Sequence, residues 1–263
     1  MKKIADILNS CGIKIFGACK FSAISHRLIS CRAMNRLPEN AQTVICMLFP
    51  YRCQIGAHNV SRYAVVRDYH MVVGEMLETA VKWLKKSFPQ NNFAHFCDNS
   101  PIDEKFAAAI CGLGVLGDNG LIINETYGSW VFIGEIVTDL ALTTKEHEPK
   151  GCLHCGVCKK ACPTGALKVS PFNPENCLSF ITQKKKELSP EEEALIRKGG
   201  LAWGCDVCQE CCPMNKTAKN TYIPQFLEGC VPIVCAEDYD NYSDRAFTWR
   251  PKRVITRNLE LLK

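Results

Sequence analysis

The chain has 263 residues, of which 47% are hydrophobic and 22% charged, with a net charge of +5; that supplies a sizeable core and excludes a disordered or low-complexity protein. No uncharged apolar stretch reaches the roughly 18 residues of a transmembrane helix, and Asp6 interrupts any signal-peptide core after Lys2 and Lys3, so the expected location is cytoplasmic, with no membrane partner. In that compartment 18 cysteines point to metal and not to a disulfide framework, because cytosolic thiols stay reduced.

The first 147 residues read as alternating helices and strands. Ile4, Ile7 and Leu8 mark a short amphipathic helix stopped by Gly12, and Ile13 to Gly17 reads as a strand. Thr43 to Phe49 is a continuous apolar run closed by Pro50, which suits a buried strand. Between Asp68 and Phe88, Val73, Met76, Leu77, Ala80 and Leu84 recur at helical spacing, with Pro89 just beyond. Phe93 to Cys97 reads as a strand, and Ser100-Pro101-Ile102-Asp103 as a capped start for the helix through Phe106 to Cys111. Leu121 to Asn124 and Trp130 to Thr138 flank Glu125-Thr126-Tyr127-Gly128 and read as a hairpin. Gly112-Leu113-Gly114-Val115-Leu116-Gly117 matches G-x-G-x-x-G, but a helix leads in and a strand leads out, the reverse of a dinucleotide site. These glycines read instead as a loop where backbone closely approaches a ligand, or as a tight turn.

The polar stretch Lys145 to Lys150 marks a boundary, dividing the chain into residues 1–147, a cysteine-rich region at 148–235 and a basic C-terminal tail at 236–263. Ser189-Pro190-Glu191-Glu192 is a capping box for a helix ending at Gly199-Gly200. Residues 245–263 hold six bases against one acid, which accounts for the whole net charge, so contact with a polyanion is expected at that end; the alternative is a solvated basic helix.

Cys152-x2-Cys155-x2-Cys158-x3-Cys162-Pro163 is the bacterial ferredoxin signature, and Cys205-x2-Cys208-x3-Cys212-Pro213 supplies a second half. Two 4Fe-4S clusters are therefore expected, with structural zinc as the alternative. Cys152, Cys155, Cys158 and Cys212 would hold the first; Cys162, Cys205 and Cys208 would hold the second and need a fourth ligand. Cys177 and Cys211 compete for that place, and Cys177 is preferred because adjacent Cys211 and Cys212 would otherwise have to reach different clusters. The ten other cysteines read as small buried hydrophobes.

Ser61-Arg62-Tyr63 through His70, Asp98-Asn99-Ser100-Pro101 through Lys105, the Gly112 to Gly117 run, Gly128-Ser129-Trp130 and Gly134-Glu135, in this order and followed by the cysteine motifs, resemble the epoxyqueuosine reductases over about residues 40 to 260. The resemblance implies an α/β cobalamin-binding domain followed by an α+β bacterial-ferredoxin-like domain with two 4Fe-4S clusters. It also implies reduction of epoxyqueuosine to queuosine in tRNA, recognition of the anticodon loop and an external low-potential electron donor. Carried over by position, it makes Asp98 the catalytic acid and places Arg62, Tyr63, His70, Asp98, Asn119, Gly120 and Ser129 at the cobalamin, and it favours Cys177 as the eighth cluster ligand. A carboxyl that follows Phe96 and Cys97 is expected to be desolvated enough to hold a proton; the alternative role for Asp98 is to cap the helix after Pro101. His70 reads as a polar contact and not a cobalt ligand, because Gly74 falls one residue late for D-x-H-x-x-G. Two features depart from the family: Asp118 stands where a basic or imidazole residue is usual, and a helical-repeat domain would begin where this sequence ends. The other readings are a corrinoid iron-sulfur reductase of a small organic substrate, dehalogenase-like, and a ferredoxin-type carrier without its own substrate.

Overall fold

The computed structural model describes all 263 residues. In chain order the first region contains α1 (Lys2–Ser10), β1 (Phe16–Lys20), β2 (Thr43–Pro50), α2 (Arg62–Val65), α3 (Tyr69–Ser87), β3 (Phe93–Phe96), α4 (Glu104–Ile110), β4 (Val115–Leu116), β5 (Ile122–Ile123) and β6 (Val131–Thr138). The cysteine-rich region contributes α5 (Val157–Ala161), α6 (Leu178–Ile181), α7 (Pro190–Gly199), α8 (Val207–Glu210) and α9 (Pro224–Leu227), and α10 (Lys252–Leu261) closes the chain.

All eight residues of β2 are buried. Ile45, Met47 and Phe49 enter one apolar cluster, with α1 and α3, while Val44, Cys46 and Leu48 enter the other, with α4. This is the two-residue alternation of a strand covered on both faces. The sheet runs β1-β2-β6-β3, and every pairing in it is antiparallel. That corrects the α/β expectation: helix and strand alternate along the chain, yet no pair of strands is joined as a parallel crossover unit. Gly134 on β6 lets α3 approach, since a Cβ there would lie 2.9 Å from Leu77 Cδ1.

Several local expectations shift. The first strand starts at Phe16, not Ile13. Helix α4 begins at Glu104 and is capped by Asp103, whose side chain accepts from Phe106 N, while Ser100 Oγ accepts from Ile102 N in the turn before it. Residues 121–138 form no two-stranded hairpin: β5 pairs with β4 and β6 joins the main sheet, although Asn124 and Gly128 do exchange backbone hydrogen bonds across the turn. The glycine run is the close-packed entry to the β4–β5 arm, where a Cβ at Gly114 would lie 2.5 Å from Ile123 O. The Ser189 capping box forms as read, and Gly200 (φ +69°) ends α7 in the left-handed conformation.

The cysteine-rich region holds no β-strand, which corrects the α+β expectation; its β-type pairing with the first region is limited to isolated bridges at Gly151 and Trp203. Its own apolar cluster is limited to Leu178, Ile181 and Ile196. Trp203, Phe226, Phe247, Val254, Ile255 and Leu259 join the cluster built on β2 and α3, so residues beyond 236 fold back onto the first core instead of trailing from it. Asn258 fixes this return by donating from Nδ2 to the carbonyls of Thr182 (2.7 Å) and Ala202 (2.8 Å). Of the ten cysteines outside the motifs, Cys19, Cys46, Cys53 and Cys111 are buried as expected. Cys235 is exposed and Cys230 is only partly covered, with its Sγ 3.3 Å from that of Cys53.

Candidate active-site cleft and cluster-binding cysteines

Short helices α5 and α8, each opened by a turn rather than a long capped segment, pack together; they carry Cys158 and Cys208, and the other motif cysteines lie outside them. Cys152, Cys155, Cys158 and Cys212 line one cavity, and that donor set suits a 4Fe-4S cluster. A second group is drawn together by burial: the Cys205 thiol is pushed up to about 11 by desolvation and by its neighbours Cys177 and Cys162. Desolvation, with Cys205, Cys177 and Cys211 nearby, pushes Cys208 up to about 12. Cys162 moves the other way: burial opposes ionisation, but hydrogen bonds from Thr164 and from the backbone of Leu167, Thr164 and Ala166 outweigh it. Cys211 has Cys158, Cys212 and Cys155 as its thiol neighbours and hydrogen-bonds to Cys208 O.

Beside the first cavity runs the loop Gly117–Gly120. Its Asp118 donates its backbone N–H to Cys152 Sγ (3.4 Å) and holds His154 Nδ1 at 2.8 Å and Lys159 Nζ at 3.5 Å with its carboxylate. The acid that departs from the family pattern thus binds a histidine and a lysine of the cysteine loop. Asn119 faces the cysteine cavity, and its Nδ2 is buried without a partner. On the other side, Gly117 and Gly120 line a separate open cleft of about 650 Å³, together with Asp98, Asn99, Ser100 and Glu104. A four-residue loop therefore has the cysteine cavity on one face and the Asp98 cleft on the other.

Asp98 leaves β3 in the left-handed conformation (φ 58°), as does Asn99 (φ 39°); Asp and Asn are the non-glycine residues that tolerate it best. Its Oδ2 accepts from Tyr69 Oη and meets His70 Nε2, both at 3.2 Å, while His70 Nδ1 lies 2.8 Å from Asp68 Oδ1. His70 is raised to about 9, first by Asp68 and then by Asp98. Asp98 is held down at about 2, chiefly by His70. The expectation of a desolvated, protonated Asp98 is corrected: the side chain is 60% exposed, and at neutral pH the corner is a carboxylate–imidazolium pair with the proton on His70. Asp98 caps no helix, because Asp103 does.

The other residues expected at the cobalamin divide. Gly120 and Asp98 share the cleft, and Asn119 lies on the loop beside it. Arg62, Tyr63 and Ser129 lie at the seam between the two regions, already partnered. Arg62 donates its backbone N–H to Asp206 (2.7 Å), pairs with Glu210 and lies over Trp130. Tyr63 Oη accepts from Trp203 Nε1 at 2.7 Å. Ser129, 3% exposed, is bound to Asn215 and Gln209. Polar side chains next to a motif can serve packing between regions as well as a ligand, and spacing does not distinguish the two. The sequence reading passed over Glu104 and Glu135; an acid in the middle of the apolar run Val131–Thr138 was the available signal for the second.

A family model for epoxyqueuosine reductase QueG matches residues 32–99, and one for a 4Fe-4S double cluster binding domain matches residues 151–215. The epoxyqueuosine reductase of Synechocystis sp. is 39% identical over 203 residues, covering 73% of this chain and 70% of that protein. That of Gloeobacter violaceus is 36% identical over 195 residues, covering 72% and 61%. This chain thus spans less than two thirds of the length of the Gloeobacter relative. Among solved structures, an epoxyqueuosine reductase with a tRNA-Tyr epoxyqueuosine-modified stem loop superposes with a TM-score of 0.82 at 24% identity, over 99% of this chain and 80% of the other. A reductive dehalogenase described with a mechanism for B12-dependent dehalogenation gives 0.54 at 15% identity, over 98% and 36%. At these identities the likeness is one of fold.

Proposed function

This chain belongs to the epoxyqueuosine reductase family, and from that premise we propose that it is a cytoplasmic, cobalamin- and iron-sulfur-dependent reductase that converts epoxyqueuosine to queuosine in tRNA. The observation that carries the reading is the two-sided Gly117–Gly120 loop, with four thiols on one face and an acid–imidazole corner on the other. In this reading Cys152, Cys155, Cys158 and Cys212 hold one cluster and Cys162, Cys177, Cys205 and Cys208 the other. Cys177 fits the second group because it neighbours both Cys205 and Cys208, whereas Cys211 neighbours Cys208 of that group but has Cys158, Cys212 and Cys155 of the first around it. The open cleft and its glycine rim fit a cobalamin. When bound, the clusters would pass single electrons from an external donor and the cobalamin would supply the reducing centre that breaks a carbon–oxygen bond.

The protein's own share is positioning and protons. Converting an epoxide to an alkene takes two electrons and two protons, and the oxygen leaves as water. Tyr69, Asp68 and the stacked rings of Tyr69 and His70 hold the corner in place. A proton resting on His70 can pass to the substrate oxygen through Asp98, which lies on the cleft wall. An anticodon base would have to be splayed out to reach it.

Phosphate contact falls to exposed bases near the end of the chain, but not to all six expected there. Arg245 is buried and bonded to the carbonyls of Val65 and Gly229, and Arg250 covers the Trp249 ring. Arg257 and Arg253 donate to the carbonyls of Lys186 and Lys185, which brings those two exposed lysines beside exposed Lys252 and Arg253. The function is tested by incubating the anaerobically reconstituted protein with epoxyqueuosine-containing tRNA and a reductant, then digesting to nucleosides. Queuosine should appear only with cobalamin present. Reduction of a free epoxide or halide without tRNA binding would favour the small-molecule reading, and cluster reduction with no substrate consumed would favour a carrier.

A further inference from the structure

Removal of an epoxide oxygen as water consumes two protons per turnover, whereas the His70–Asp98 pair holds one. The wall of the Asp98 cleft carries a second carboxyl, Glu104, in the first turn of α4. On β6, against which α4 packs, lies Glu135, completely buried, with Ser100 the polar side chain that favours its charged form and burial outweighing it. An ionised carboxylate in that position would cost several kcal/mol, so the group is held as the neutral acid.

We propose that Glu104 is the second proton source of the cleft, delivering the proton with which the epoxide oxygen departs as water. The role rests on the reaction proposed above. In the balanced step two electrons enter from the donor, the carbon–oxygen bonds of the epoxide break, and the carbon–carbon double bond forms. One proton reaches the oxygen by way of Asp98 and one from Glu104, and both sites are refilled from solvent.

The surroundings agree with a neutral Glu104. Burial pushes it up to about 7, Lys105 opposes, and Asp98 and Asp103 add to the rise. Arg27, the other cation facing this wall, is committed to Asp103 at 2.8 Å. From the sheet, Glu135 is itself raised well above the carboxylate range by burial and then by Glu104. Cys46 and Cys97, the other titratable groups of the sheet that sense Glu104, are both raised thiols and carry no charge. The cation that draws on this proton, Lys105, is outweighed by burial, the reverse of the Asp98 corner, where His70 prevails over burial.

The test combines infrared spectroscopy of the protein with turnover of the reconstituted enzyme. Glu104→Gln should remove a carboxylic-acid carbonyl band that titrates near neutral pH, and Glu135→Gln one that does not titrate there. In turnover, Glu104→Gln should lower kcat on the order of a hundredfold with little change in KM, and should flatten the alkaline fall of the wild-type pH profile. Unchanged iron content in both variants reports an intact fold. An unaltered band, or a kcat and pH profile matching wild type while Asp98→Asn is slow, would overturn the role of Glu104 and leave the reaction standing. A wild-type protein inert toward epoxyqueuosine would overturn the reaction and the role together.

Discussion

The sheet region and the cysteine region are stabilised by different means. Around β2 and α3 nearly every apolar side chain is shared between strand and helix, so this half can fold on burial alone. Residues 151–215 have short helices, no strand and three buried residues in their own cluster, and their motif thiols crowd together. Such a segment draws its order from metal binding. In the proposed reaction the half held by packing carries the acid–base chemistry, and the half that depends on metal carries electrons.

Removing iron should therefore produce the largest effect. Anaerobic chelation should expose the amides of residues 151–215 to hydrogen exchange while those of β2 and β6 stay protected; uniform loss of protection would break the distinction. Intact protein should hold about eight irons per chain, and Cys177→Ala should lose more iron than Cys211→Ala, with the reverse order reassigning the eighth ligand.

Next in size is a change confined to the packed half. Asp98→Asn should keep iron and cobalamin while slowing turnover about a hundredfold or more, checked by single-turnover product formation. His70→Gln should act in the same direction, because it removes the resting proton. Turnover unchanged in both would leave the corner a structural feature.

Tyr63 and Ser129 show where sequence reading stops. Their spacing beside recognisable motifs is the same whether they face a ligand or a neighbouring backbone, and here they seal the seam against Trp203 and Asn215. The cysteine motifs were legible because iron imposes their spacing along the chain. Helix α3 was legible because its apolar period and Asp68 cap are local. The antiparallel order of the sheet was not, since an apolar run such as Thr43–Phe49 carries no direction. The ionised state of Asp98 was not either, for it depends on His70, which comes 28 residues earlier in the chain.

A smaller effect should come from Lys185→Glu with Lys186→Glu. Neither residue touches the cleft, so tRNA binding should weaken severalfold and its salt dependence flatten, with both cofactors retained; filter binding across a salt series reads this. Loss of cofactor instead would mean that the patch supports the fold.

The smallest concerns pH. An unfolded glutamate ionises near 4.5, whereas Glu104 in the folded chain does so near 7, so the folded state binds the extra proton between those values and stability falls as pH rises through that window. Glu104→Gln should reduce that slope, for a gain on the order of 1 kcal/mol at pH 8, measured by urea unfolding at pH 4 and pH 8. An unchanged slope would place Glu104 in solvent.

The most direct test is a single turnover without external reductant. Protein carrying both reduced clusters and cobalamin, mixed with epoxyqueuosine-containing tRNA, should form about one queuosine per chain as the two clusters give up one electron each. Clusters that stay reduced while no queuosine forms would contradict an electron path from the cysteine half to the Asp98 cleft.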